Sequence, residues 1–137
     1  MTANNQRLVP FLTFHGNAEE AMNFYAKVLP DAKIESIVHV EPGQPGDAGK
    51  VLHGALTFTG QQIMFMDMAA ANELPPFSWS MSLYLECKDD AEFDAVFNGL
   101  SEGGTVMMGP EPVMQFKKVA WVTDKFGVTW QPVLAQE

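Results

Sequence analysis

Two stretches 72 residues apart share one plan, and that repeat limits what the chain can fold into. The first is NAEEAMNFYAKVLPD, residues 17–31, and the second is DDAEFDAVFNGLSEGG, residues 89–104. Asn17 and Asp89 are N-cap residue types, and Glu20 and Glu92 follow three positions later, as in a capping box. Apolar residues then recur at Ala21, Phe24, Tyr25 and Val28, and at Phe93, Val96, Phe97 and Leu100. This i, i+3, i+4, i+7 stripe is the signature of an amphipathic helix. Pro30–Asp31 stops the first helix and Gly103–Gly104 the second. Alternating runs, Leu8–Phe14 and Ser80–Glu86, lead into them as strands. Cap, stripe and leading strand together indicate an internal duplication.

Each helix is followed by three strand-like runs. In the first half these are Lys33–Val40, Val51–Thr59 and Gln62–Asp67, the last two joined by a tight turn at Thr59–Gly60. In the second they are Gly104–Met108, Val119–Thr123 and Val128–Leu134, with a turn over residues 124–127. Residues 41–50, EPGQPGDAGK, read as a surface loop. The fold class expected is α+β: two tandem βαβββ modules forming curved mixed sheets around a cavity. Module 1 covers about 7–67 and module 2 about 79–134. They are joined by a linker over 68–78 that Pro75–Pro76 stiffens, within a single domain of 1–137. Alternation assigns faces. Trp79, Met81, Leu83 and Leu85 are expected under the second helix, with Ser80, Ser82, Tyr84 and Glu86 facing inward. The 72-residue offset gives Pro10, Leu12 and Phe14 the same inward face in the first strand.

The chain carries 8 basic and 17 acidic residues in 137, a net charge of −9. That balance argues against a nucleic-acid partner, because phosphate binding needs clustered Lys and Arg. Lys117–Lys118 is the one basic pair and reads as a solvated edge. Cys87 is alone, so neither a disulfide framework nor a Cys-based zinc site is expected. MTANNQRLVPFL lacks the pattern of a secretory signal, and no apolar run reaches membrane-spanning length. No membrane partner and a cytoplasmic location are therefore expected.

HGNAEEAMNFYAKVLPDAKI after a short strand, and the closing WVTDKFGVTWQPV, resemble the vicinal oxygen chelate superfamily of glyoxalase, bleomycin-resistance and dioxygenase proteins. PFLTFHGNAEEAMNFY and the D-x-F-G-V-x-W-Q ending look like its PhnB-like branch, often labelled 3-demethylubiquinone-9 3-methyltransferase. The resemblance spans about residues 7–134 and implies a homodimer. It also implies four inward metal positions, which fall here on Pro10, Met64, Ser82 and Gln131. Proline offers no side-chain donor, a thioether suits hard divalent ions poorly, and serine is a weak neutral ligand. Gln131 alone would not hold an ion, so no metal is expected there.

Candidate site residues follow from the faces. Tyr84 and Glu86 share the inner face of one strand and are the candidates for acid/base catalysis or cation binding. Met64 and Met66 offer an adaptable apolar lining, with Met68 just beyond. Leu12, Ser82 and Gln131 complete the inward set, and His53 is added because Gly54 beside it lets backbone approach a ligand. His39 reads as a strand-borne polar residue. His15, Glu19 and Glu20 have no reason to converge, so that stretch reads as a helix start. Trp121, Phe126 and Trp130 read as packing, with Trp130 under the helices. No GxSxG elbow, HExxH or phosphate loop occurs. No strand–GxG–helix signature for S-adenosylmethionine occurs either, and no cofactor is expected. The function expected is binding of an unidentified small molecule in the sheet cavity without metal. The alternatives are an enzyme of the superfamily (a lyase, isomerase or dioxygenase, or the labelled methyltransferase) and a protein that sequesters bleomycin-type antibiotics.

Overall fold

The computed structural model describes residues 6–136. They form two compact units, one running to Leu74 and the other starting at Pro75. The first contains β1 (Phe11–Phe14), α1 (Ala18–Val28), β2 (Lys33–His39), β3 (Val51–Phe58) and β4 (Gln61–Asp67). The second contains β5 (Leu83–Cys87), α2 (Asp90–Ser101), β6 (Thr105–Val113), β7 (Phe116–Thr123) and β8 (Thr129–Ala135). Each unit is therefore βαβββ, as the repeat predicts. The strand orders, β1-β4-β3-β2 and β5-β8-β7-β6, are the same arrangement twice. β1 lies parallel to β4 and β5 parallel to β8, and the other pairs are antiparallel.

In the first unit α1 buries Ala18, Ala21, Met22 and Tyr25. The Tyr25 ring lies 6.0 Å from Phe65 on β4, and Phe65 stacks on Phe14 at 5.9 Å. Each such fully buried aromatic contributes about 1.5–3 kcal/mol through its removal from water. Gly54 belongs to this packing. A Cβ there would stand 2.6 Å from the Met22 sulfur, so the glycine lets the helix settle onto β3. Helix packing thus accounts for a glycine at position 54. The β3–β4 turn has positive φ at both Thr59 and Gly60, 48° and 77°. That is the backbone of a type I′ hairpin, whose twist matches the flanking strands.

The helix starts differ. In the second unit Asp89 Oδ1 accepts from Glu92 N at 2.8 Å, and Glu92 Oε1 accepts from Lys88 N at 3.0 Å, a reciprocal box. In the first unit the Asn17 side chain makes no capping bond. The buried carboxylate of Asp67 takes its place. Asp67 Oδ1 accepts from Gly16 N at 2.9 Å and Ala18 N at 3.0 Å, and Oδ2 accepts from Val51 N at 2.9 Å.

The strand offset is 73, not 72. Two residues, His15 and Gly16, separate β1 from Asn17, whereas Lys88 alone separates β5 from Asp89. Gly16 absorbs the extra residue at φ 109°. Register confirms the shift, since Phe11 pairs Met64 while Tyr84 pairs Gln131. Leu12 consequently pairs Phe65 and is 5% exposed on the helix-covered face. Its expected place on the inner face is thereby corrected, as is that of Phe14. At the other strand, pairing begins only at Leu83. Trp79 and Met81, expected under α2, stand 59% and 62% exposed ahead of the strand. Ser80 and Ser82 also precede it.

Candidate functional site

One face of each sheet is roofed by its helix, and strand alternation fixes what the other face presents. In the first unit the uncovered face carries Phe11, Met64 and Met66, with Ala55 paired to Met64. His53 shares that face by alternation with Ala55, and its ring lies 6.0 Å from Phe11. Met64, Met66 and His53 are all partly buried.

In the second unit Lys118 marks the covered face, its Nζ lying 5.3 Å from the Phe93 ring of α2. Lys118 pairs Leu134, and Val122 pairs Trp130, so these residues lie on the helix side. Trp121 therefore points the other way. It pairs Met108 on β6. The register of β7 with β8, from Val119 with Val133 to Val122 with Trp130, sets Trp121 across from Gln131. Gln131 in turn pairs Tyr84. A row of side chains, Tyr84, Gln131, Trp121 and Met108, thus runs across all four strands, with Glu86 two residues along from Tyr84. Trp79 stands edge-on to Trp121, with centroids 5.8 Å apart and planes at 88°. The Trp121 indole nitrogen is sealed from solvent and has no hydrogen-bond partner among the described residues.

Trp121, expected as packing, sits on the uncovered face. The signal was present in the hairpin. Once the turn over 124–127 fixes Val122 opposite Trp130, Trp121 must share a face with Gln131.

Trp130 behaves as expected, fully buried, with its indole donating to Asp124 Oδ2 at 2.9 Å. Asp124 Oδ1 also accepts from Phe126 N at 2.8 Å and Val128 N at 3.1 Å. The D-x-F-G-V-x-W run is therefore a structural device in which one buried carboxylate holds both the hairpin turn and the tryptophan. All three tryptophans, Trp79, Trp121 and Trp130, belong to the second unit.

The other candidates separate. His15 Nε2 lies 3.1 Å from Ala69 O, while Glu19 pairs His39 at 2.7 Å. His15, Glu19 and Glu20 do not converge, and among the described residues no group of three or more His, Cys, Asp or Glu could hold a metal ion. At the positions implied for metal, Pro10 and Ser82 lie outside the strands, and Met64 and Gln131 pair with Phe11 and Tyr84. These donors do not fit a divalent-ion site. Lys117 and Lys118 are spent on α2. Lys117 Nζ lies 2.6 Å from Asp90, and Lys118 Nζ lies 3.0 Å from both Asp90 and Asp94. Hydrogen bonds from Lys117 and Lys118 hold the Asp90 carboxyl below its usual range. The bonds to Asp90 and Asp94 hold Lys118 above its own.

Cys87 ends β5 on the helix side, buried. Burial, with Glu92 and Asp89 nearby, pushes its thiol up to about 12. At pH 8 only about one thiol in ten thousand is then ionised, and the thiolate is the reactive form. Ellman's reagent is expected to modify the folded protein more than about a hundredfold more slowly than the denatured chain. Equal rates would contradict the burial.

Two four-stranded mixed sheets, each under one helix, form the glyoxalase/bleomycin-resistance fold, α+β in class. A glyoxalase/bleomycin-resistance/dioxygenase domain from Frankia sp. EAN1pec shares this fold at TM-score 0.68. It is 13% identical, over 96% of this chain and 98% of that one. The chain belongs to the family described as 3-demethylubiquinone-9 3-methyltransferase, whose model matches residues 6–133. The PhnB protein from Bacillus cereus is similar at 39% identity and TM-score 0.85, covering 95% of this chain and 100% of that chain. Protein PA1353 from Pseudomonas aeruginosa is similar at 29% identity and TM-score 0.87, covering 97% and 100%.

Proposed function

We propose that the protein binds a small, partly apolar organic molecule against an uncovered sheet face, without a metal ion. The observation that carries this is the contrast between the two faces. Under the helices, side chains interlock as a sealed core, whereas the opposite faces mix buried Ala55, Val119 and Val133 with partly exposed side chains. The opposite faces present Met64, Met66 and His53 on one sheet and Tyr84, Gln131 and Trp121 on the other. Flexible thioethers and aromatic rings beside a few polar groups are the usual lining of a small-molecule site. The positions that the resemblance implies for an ion, Pro10, Met64, Ser82 and Gln131, carry donors unsuited to it.

The test is a thermal-shift screen of the purified protein. A neutral organic ligand at 100 times its Kd is expected to add about 2.7 kcal/mol of stability. Nickel, zinc, manganese and iron are expected to add none. Stabilisation by one of these ions would replace this reading with a metal enzyme of the lyase, isomerase or dioxygenase kind. Stabilisation by S-adenosylmethionine would favour the methyltransferase named in the family description, and stabilisation by bleomycin would favour antibiotic sequestration.

A second reading, acid/base catalysis, is favoured by Tyr84 and Glu86 sharing the uncovered face of β5. Both are exposed, Tyr84 at 53%. Turnover found in the wild type and unchanged in Glu86→Gln would remove that reading.

A further inference from the structure

We infer that the uncovered face of the second sheet takes a planar, uncharged ligand bearing a carbonyl-type acceptor, and that the Trp121 indole N–H is the donor that receives it. This rests on the small-molecule reading above and specifies its ligand.

Two tryptophans stand in one hairpin, on β7 and β8. Trp130 donates its N–H to a buried carboxylate placed six residues away, at 2.9 Å. Trp121, nine positions earlier, has an N–H removed from solvent and without an acceptor among the described residues. A buried donor without a partner is destabilising, and when one persists in a folded protein its acceptor commonly comes from outside the chain. The surroundings of Trp121 suit such a group. Met108 and Gln131 flank it on the neighbouring strands. The half-exposed Trp79 meets it at a right angle, so flat and upright aromatic walls adjoin. A planar ring fits such a corner by stacking on one wall and meeting the edge of the other.

Because Trp121 Nε1 is sealed, an acceptor reaches it only when a neighbouring side chain moves. Trp79 is placed to do so. It precedes β5 on a turn held by local bonds: the Ser78 and Ser80 hydroxyls lie 3.1 Å apart, and Met81 N donates to Ser78 O at 3.3 Å. Charge narrows the ligand further. Glu86 lies on this face, Lys118 is turned to the helix side, and Lys117 is paired with Asp90 of α2. An anion would meet the Glu86 carboxylate. Gln131 pairs Tyr84 across the strands, and its amide, two-sided in hydrogen bonding, suits an amide-like group.

The test uses the full chain labelled with nitrogen-15 and three probes of one shape: benzamide, benzoate and benzylamine. The three indole cross-peaks are assigned with Trp79→Phe and Trp121→Phe, Trp130 being the remainder. Benzamide is expected to move the Trp121 indole proton downfield and to perturb Trp79, while Trp130 stays still. Benzoate and benzylamine are expected to bind more weakly than benzamide. Trp121→Phe keeps an aromatic ring but loses the donor. Its benzamide affinity is expected to fall about tenfold, one buried hydrogen bond's worth, with an unchanged Trp130 cross-peak reporting an intact fold.

A Trp121 cross-peak that stays put at saturating benzamide overturns the inference, and so does benzoate binding as tightly as benzamide. If neither wild-type spectrum nor variant responds to any probe while the wider screen still yields a stabilising organic ligand, this inference falls and the binding reading stands. If that screen also yields none, both fall.

Discussion

Replacing Asp67 with alanine is expected to destabilise the protein by about 3–5 kcal/mol, the cost of leaving several buried donors unpaired. The Asp67 carboxylate is 6% exposed and accepts from three backbone N–H groups. Two of these belong to the entry of α1, where Asn17 supplies no side-chain cap. The third, Val51 N, opens β3. The charge also sits at the positive end of the helix dipole. Alanine removes all of this together and leaves a small void. A fall in melting temperature of about 10 °C or more follows for a domain of this size. Circular dichroism measures it, and hydrogen exchange should show the first turn of α1 losing protection before the strands. Asp67→Asn keeps one oxygen and should lose roughly half as much. A melting point within a degree or so of wild type for Asp67→Ala would show that the cap carries no weight.

The second large effect is expected at Asp124. Alanine there strips the acceptor from Trp130 Nε1, Phe126 N and Val128 N in a site 3% exposed. The expected cost is again about 3–5 kcal/mol. The signature differs from that of Asp67, because Trp130 loses the bond that fixes its ring and its near-ultraviolet dichroism should collapse. Trp130→Phe leaves the carboxylate short of one donor but keeps the turn, so a smaller loss of about 1–3 kcal/mol is expected. Full retention of the tryptophan signal in Asp124→Ala would refute the account of the D-x-F-G-V-x-W run.

The helices were legible because their information is local. A 3.6-residue stripe, an acidic first turn and a Pro or Gly stop lie within fifteen residues. Strand ends were less legible because they depend on a partner. Alternation continues back to Leu8, yet β1 pairs only from Phe11, where Met64 is available. β6 runs on to Val113, past Pro110, beyond the predicted stop at Met108. It lies at the sheet edge, where a residue lacking an N–H is tolerated. The Asp67 cap was hidden because donor and acceptor lie 49–51 residues apart.

The candidate site was legible only in part, for a related reason. Anchoring the two halves on their helices puts Leu12 on the wrong face, since the added residue at Gly16 flips β1 relative to β5. Alternation within their own strands gives Tyr84, Glu86, Met64 and Met66, the resemblance gives Gln131, and the register puts all five on uncovered faces. Trp121 was missed because an aromatic residue in an apolar strand looks like core until its cross-strand neighbours are counted.

With every indole in the half that begins at Pro75, the molecule's ultraviolet emission is a one-sided gauge. It registers melting of that half and is nearly blind to the other, whose backbone still contributes to far-ultraviolet ellipticity. Coincident fluorescence and ellipticity curves would mean that both halves let go together. An emission change that runs ahead or lags would reveal a partly melted species with one half still intact.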